Sequence, residues 1–552
     1  MKLINRVLNS EFKNPKIPKI IFGFAAIAVM FFMALRPPTD PDLFWHLKTG
    51  ELMWQYKTLP HIDWYSYTMS NFAWINHEWL SEILMFKIKE FFGWAGLAIF
   101  FSGAITFAFG YLLPKSLGKN RPFYTAYLLI VLGVIVSSLT FGSRPQMFTL
   151  FGIVLLFFIL NEYKIKPHGK LVYFLPIIFL LWANMHGGFA FGLGLLAIYL
   201  ALERFLIRRA KENPAADWLK SYQPLESESW KKLAYLALIS FGTTFLNPYG
   251  PRIYEEIFRT FSDVFAQNVI LEWLAPNFHQ TEGILFGFYV IFVFIILSLF
   301  KKIDIFSFVL IPLFLFLAFQ AVRNIPVFVI ISLPLLIANL AGLENVFEAT
   351  FRKKFIAFGF GAMLIFYAPY VYKTGDVVKT FKSEEKLAKY GEYPREAIKF
   401  LQDNPLYGQK NIFNDYGWGG YIIGNVKCSF DSAQDKQNSP PTADPPKAEN
   451  VKTEILRSPT SVGSRTSDYA RLRCEPKVFI DGRMAHWKTK DRHILKNYQS
   501  ISALENNWLD LIEQYKIEII FVKKESYLGR ALKFNGDWQK IYEDDLAVIY
   551  EN

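Results

Sequence analysis

The sequence predicts a polytopic α-helical membrane protein of about eleven transmembrane helices, followed by a C-terminal extracytoplasmic α/β domain. Three observations predict it. Of 552 residues, 52% are hydrophobic and 18% aromatic while only 20% are charged, more apolar content than a soluble domain of this size carries. The apolar residues gather in runs of roughly 17–22, the length a helix needs to cross a hydrocarbon core of roughly 30 Å. Between these runs, Lys and Arg collect in alternate loops, as membrane topology requires. The net charge of +12 is therefore loop bias and not a nucleic-acid surface, since the basic residues form no single patch.

Taken in order, the basic N-terminus MKLINRVLNSEFKNPKIPK leads into an apolar run ending in Arg36-Pro37-Pro38 without a small-residue cleavage site. It is expected to remain as a first span with a cytoplasmic N-terminus. The eleven apolar runs are 20–36, 94–114, 122–141, 146–161, 171–183, 188–203, 233–246, 283–300, 304–321, 325–341 and 355–372. Lys115, Lys119, Arg121, Arg208, Arg209, Lys301, Lys302, Lys353 and Lys354 then lie on the cytoplasmic side. An odd number of spans puts the C-terminal region outside. Within the transmembrane part, 1–373, the segment 37–93 becomes a long first external loop. Its end, EWLSEILMFKIKEFFG, has apolar positions at helical spacing and is expected to lie along the membrane surface.

Beyond 374 the pattern changes to helix-like 384–403, strand-like NIFNDY and KVFIDGR, helix-like 501–515, strand-like IEIIFV and two short strands near the end. This predicts a small α/β domain over 374–552. It is interrupted by 428–475, rich in Ser, Pro, Asp and Lys, which is expected to be a disordered insertion. Cys428 and Cys474 both fall outside, where a disulfide is possible, but two thiols define no framework.

On this topology the polar clusters converge on one face. Asp40, Asp42, His46, His61, Asp63, His77 and Glu78 lie in the first loop, Arg144 in Ser143-Arg144-Pro145-Gln146, and His186 in Asn184-Met185-His186-Gly187. Asn247-Pro248-Tyr249-Gly250, Glu272 and Arg323-Asn324 complete the set. Ionisable groups at span ends are costly unless they meet water, a partner or a ligand, so their convergence marks a candidate site. An acid just outside the bilayer can serve as a general base or hold a metal. The competing structural roles are a helix cap for Asp42, a bond to Asp42 for His46, and complementing a positive helix end for Glu78. Arg144 and Arg323 suit phosphate, or simple anchoring at the interface. His186 stands beside Gly187 and Gly188, where helix packing competes with function. Asp415 and Asp481, next to glycines, fit turn chemistry as well as a site.

A short cytoplasmic N-terminus, one span, then an external loop with D-x-x-x-H (Asp42 to His46) and L-P-x-x-D (Leu59 to Asp63) resembles the GT-C superfamily of membrane glycosyltransferases. Oligosaccharyltransferase catalytic subunits, protein O-mannosyltransferases and the lipid-A aminoarabinose transferases are the groups it is most similar to. The likeness covers roughly 1–373, mainly as topology. Asp415-Tyr416-Gly417 looks like part of the W-W-D-Y-G element of oligosaccharyltransferases, with Phe413 and Asn414 in place of the two Trp. Ile270-x-Glu272 looks like part of their T-I-x-E element, with Val269 in place of Thr. The stretches DPDLFWHL, NHEWL, WANMHGG, NPYG and DGR also resemble a bacterial branch of multispanning proteins.

The resemblance implies sugar transfer from a polyprenyl-phosphate donor to a lipid, glycan or protein acceptor on the extracytoplasmic face of the plasma (inner) membrane. Asp42 or Asp40 would be the central acid, with Glu78 as a further catalytic group. His46, His77, Arg144, His186, Glu272, Arg323 and Asp415 would bind substrate. The second external loop has SRPQ where the family has D-x-D or E-x-D, so a metal-independent enzyme with no metal ligand and no cofactor is expected. Two other readings compete. A transporter or flippase of lipid-linked saccharide should carry repeats and mid-membrane charges, whereas here the ionisable residues sit at span ends. A non-catalytic scaffold in cell-envelope polymer assembly would tolerate loss of the external acids.

Overall fold

The computed structural model describes residues 16–118, 122–214, 222–300, 305–342, 344, 377–425, 427–430, 472–490 and 492–552. It is mostly helical, with a small C-terminal sheet. Among the described residues, five helices are long and apolar enough to cross a membrane: Trp79–Ser116, Gln146–Ile165, Phe189–Glu212, Thr281–Leu299 and Val322–Leu340. Shorter apolar helices are Phe22–Ala34, Phe123–Ser137, Leu171–Met185 and Ile305–Gln320. Backbone groups in lipid must be satisfied within the segment, so these Phe-, Leu- and Ile-rich runs form helices whatever their residue propensities. The run expected at 233–246 lies in the helix Ser227–Thr243, which packs on Leu175–Met185. The eleventh run, 355–372, falls outside the described residues.

The expected surface helix and second span form one assigned helix, broken at Gly93 (φ 67°, ψ −165°). That backbone conformation is open to glycine at little cost, so the amphipathic half can turn before the apolar half begins. Before it, the first loop folds into the helix Leu43–Tyr56 and a compact turn region held by a bridge between Ile62 and Ala73.

The C-terminal domain carries a four-stranded sheet. In chain order its strands are β1 (Ile412–Asn414), β2 (Ile519–Lys523), β3 (Gln539–Glu543) and β4 (Ala547–Glu551). Across the sheet they run β1-β2-β4-β3, parallel for β1 with β2 (Ile412 opposite Ile519) and antiparallel thereafter (Phe521 opposite Ile549). The helical stretch 384–403 is two helices, Glu384–Tyr390 and Arg395–Asp403, separated at Pro394. Likewise 501–515 resolves into Ile494–Ser502 and Trp508–Gln514.

KVFIDGR differs from its expected strand. Val478 makes single bridges to Ile412 and Ser66, and Asn414 takes over from a ladder: its Oδ1 accepts from the N–H of Phe479 (2.8 Å) and of Ile480 (3.4 Å). A fully buried side-chain amide thus replaces strand pairing at this point. At the base of the insertion, Lys427–Phe430 pairs antiparallel with Leu472–Glu475, and 431–471 lies outside the described residues.

Two apolar cores result. One joins the apolar helices, through residues such as Phe109, Ile130, Leu150, Phe179 and Phe328. The other unites the C-terminal domain with the first loop: Phe44, Trp45, Trp64, Tyr65 and Trp74 are buried together with Phe413, Trp418, Phe479, Trp487 and Phe521. The loop and the domain, separated in sequence by most of the apolar helices, therefore pack as one body.

Candidate active site

A cleft of about 220 Å3 opens where the first loop, the loop ends at 144, 186, 256–273 and 323, and the C-terminal domain meet. Asp40 begins it: its Oδ1 accepts the backbone N–H of Asp42 at 2.9 Å. Asp42 occupies the N-cap position of Leu43–Tyr56 yet makes no capping bond. Its Oδ1 instead accepts from Trp45 Nε1 at 3.0 Å. Burial, with the nearby Asp40, pushes the Asp42 carboxyl up to about 7. That is the range in which a carboxylate can take and return a proton near neutrality. From the other side, Gly482 of the Asp481-Gly482-Arg483 turn lies so close to Asp42 that a Cβ there would collide with its carboxylate.

Arg144 bridges two acids, with Nη2 on Asp40 and Nη1 on Glu272. Arg323 reaches the other oxygen of Glu272 at 3.3 Å and lies over the Trp273 ring, 4.4 Å from its centroid. Burial alone would raise Glu272, but Arg323 and Arg144 outweigh it and hold the carboxyl below its usual range. Two guanidinium groups from different loops thus share one carboxylate beside Asp40, an arrangement an incoming phosphate could enter by displacing Glu272.

Glu78 forms a second focus. Like Asp42, it sits at an N-cap position without capping. Its oxygens face three imidazoles: His186 Nε2 at 3.5 Å, His77 Nε2 at 3.8 Å and His46 Nε2 at 3.9 Å. Burial pushes its carboxyl up to about 8 and lowers all three histidines, so near neutrality the imidazoles are uncharged. Gly188 N–H donates to His186 Nδ1 at 2.9 Å, which fixes the neutral ring's proton on Nε2, facing Glu78.

Of the residues expected to act in catalysis or binding, all but one come together, while His61, Asp63 and Asn247 of the polar face do not line the cleft. Asp40, Asp42, His46, His77, Glu78, Arg144, His186, Glu272 and Arg323 all line the cleft. Asp415 does not: its Oδ1 accepts from Gly417 N–H at 3.0 Å and closes a turn, while Tyr416 lines the cleft instead. Asp481 is likewise structural. With Asp63 it neutralises Arg483, whose Nη2 meets Asp481 at 2.6 Å and Nη1 meets Asp63 at 2.9 Å, inside a box of Tyr65, Trp74 and Trp487 rings.

Residues that sequence reading passed over also contribute. Glu256, Tyr416, Arg483 and His486 line the cleft. Glu82 accepts from Asn76 Nδ2 at 2.6 Å and meets His46 Nδ1 at 3.1 Å. The signal for Glu82 was present as two glutamates four apart in HEWLSE, but on an amphipathic helix such spacing reads as a solvated face. The expectation of a site without metal rested on the second loop. The first loop instead brings His46, Glu78 and Glu82 together, one donor atom of each within 4.8 Å of the others.

No family model and no curated protein matches the chain. Among the solved structures to which the chain is similar are oligosaccharyltransferases. The archaeal oligosaccharyltransferase AglB from Archaeoglobus fulgidus, in complex with an inhibitory peptide and a dolichol-phosphate, aligns with 91% of this chain and 69% of its own, at 10% identity and a TM-score of 0.47. The Archaeoglobus fulgidus oligosaccharyltransferase tethered to an acceptor peptide containing the NVT sequon aligns over 97% and 74%, at 12% identity and 0.49. Its complex with Zn and sulfate aligns over 97% and 73%, at 12% identity and 0.41. At these values the likeness assigns no residue and no chemistry.

Proposed function

We propose that this protein is an integral membrane glycosyltransferase that moves a sugar from a polyprenyl-phosphate-linked donor to an acceptor on the extracytoplasmic face. The observation that carries the reading is the joining of Asp42, Asp40, Arg144, Glu272 and Arg323 in one cleft at the ends of apolar helices. In this reading about eleven spans carry the chain, with the N-terminus cytoplasmic, 1–373 as the transmembrane domain and 374–552 outside.

The chemistry follows from the groups. Asp42 takes the proton of the acceptor as the acceptor atom bonds to the anomeric carbon. The bond from that carbon to the phosphate oxygen breaks, and the polyprenyl phosphate leaves with the electron pair. Arg144 and Arg323 receive the charge of the departing phosphate, for which guanidinium geometry is suited. Glu272 holds both arginines in place until phosphate arrives. Glu78, with His46, His77 and His186, forms the opposite wall and binds the sugar. The acceptor is of lipid, glycan or protein class, and the cleft chemistry is the same for each.

The test is transfer of radiolabelled sugar from a panel of polyprenyl-phosphate donors by the purified chain in nanodiscs, with Asp42→Asn and Asp40→Asn beside it. Loss of a general base typically lowers turnover by about 10²- to 10⁴-fold. That loss in a folded Asp42→Asn protein supports the assignment. Absence of turnover with every donor, with both variants still complementing a deletion strain, overturns it in favour of a transporter or scaffold.

A further inference from the structure

Glu78 and Glu82 stand four residues apart at the start of one helix, so their carboxylates share a face. Their side chains are 15% and 0% exposed. Among the described residues neither forms a salt bridge with a Lys or Arg; the groups nearest their oxygens are the imidazoles of His46, His77 and His186. Two buried carboxylates with no cation in contact are costly, and protonation or a bound cation relieves them.

The geometry favours a cation. His46 is buried, with Nδ1 3.1 Å from Glu82 Oε1, and its Nε2 points at Glu78 Oε2 from 3.9 Å, too far for a hydrogen bond. With one donor atom taken from each residue, the set lies within 4.8 Å of one another; donors about 2.0–2.2 Å from one tetrahedral ion stand roughly 3.3–3.6 Å apart, so side-chain movements of about an ångström close it on an ion. Outer contacts already orient the donors. Asn76 donates Nδ2 to Glu82 (2.6 Å) and accepts the N–H of Glu78 (3.1 Å), and His186, protonated on Nε2, faces the far oxygen of Glu78.

We propose that His46, Glu78 and Glu82 bind one divalent transition-metal ion, Zn2+ or Mn2+ in class, with its remaining positions open to the cleft. An imidazole among the donors disfavours Mg2+ and Ca2+, and two carboxylates balance the ion's charge. His46 and Glu78 line the same cleft as Arg323, so an anionic oxygen entering it would meet both the ion's site and the guanidinium.

Metal binding is read without turnover, so it stands or falls separately from sugar transfer. The full chain in nanodiscs is stripped with a chelator, titrated with Zn2+ or Mn2+, and measured for bound metal by mass spectrometry and for Mn2+ by electron paramagnetic resonance. About one ion per chain is expected, with affinity at least tenfold weaker in Glu78→Gln and Glu82→Gln and unchanged in His61→Gln. Wild-type binding should also raise the unfolding temperature with Zn2+ or Mn2+ but not with Mg2+, which needs no variant to fold. No bound ion and no thermal shift in wild type overturns the proposal, as does undiminished binding in a folded Glu78→Gln/Glu82→Gln protein.

Discussion

At Gly482 the backbone passes against the Asp42 carboxylate with no room for a Cβ, so this one position couples the C-terminal domain to the proposed catalytic acid. Gly482→Ala should strain the contact by about 1–3 kcal/mol, as overpacking does, and displace the carboxylate. Turnover should fall at least about tenfold, since an acid must sit within hydrogen-bond reach of its proton. Activity assays beside thermal unfolding separate this from loss of fold. Arg483 plays a different part, as the shared cation of Asp63 and Asp481 in a buried aromatic box. Arg483→Met leaves two buried carboxylates without their partner and should cost about 3–5 kcal/mol, seen as a lower unfolding temperature. The motif DGR was legible as a turn, but nothing local in it announces Asp63, 420 positions away.

At the scale of elements, the segment Ile253–Ser262 with Val264–Gln267 meets the C-terminal domain through the Phe265 ring against His493 and through a buried acid between them. Asp263 Oδ2 lies 4.0 Å from His486 Nδ1, and Asp263 Oδ1 lies 3.8 Å from His493 Nε2. Among the described residues, Asp263 Oδ2 and both Nδ1 atoms lack a hydrogen-bond partner. Burial pushes His486 down to about 4 and also lowers His493; Asp263 opposes this, while Arg323, Lys488 and Arg259 around His486, and Lys488 and Lys496 around His493, add to it. Because the folded state binds these protons less readily than the unfolded chain, the docking is at full strength above the ordinary value of 6.5 and weakens as pH falls towards 4. Protection of the amides over 253–267, taken as exchange relative to the intrinsic rate at each pH, should therefore fall between pH 7 and 5. His486→Gln with His493→Gln should flatten that dependence. Protection that rises on acidification would show instead that Asp263 gains by meeting charged imidazoles.

For the whole molecule, the chain is an apolar helical part capped by a body built from both its first loop and its last domain. The insertion enters and leaves this body through the paired strands Lys427–Phe430 and Leu472–Glu475, so its ends already stand side by side. Replacing 431–471 with a short turn should leave unfolding temperature and turnover unchanged within error, whereas collapse of the domain would make the segment part of the fold. Composition and run length by themselves pointed to the membrane character, and polar motifs placed at the ends of apolar runs pointed to nine of the residues that line the cleft. These are properties of hydropathy and of the cost of charge at span ends, both of which are local. Tertiary structure alone decided that Asp415 closes a turn while Tyr416 enters the cleft, that Arg483 serves Asp63, and that Glu82 turns inward to His46. Each of those depends on which surface buries a side chain in the folded chain, and burial against a segment remote in sequence, 420 residues away for Arg483 and Asp63, leaves no periodic trace in either one.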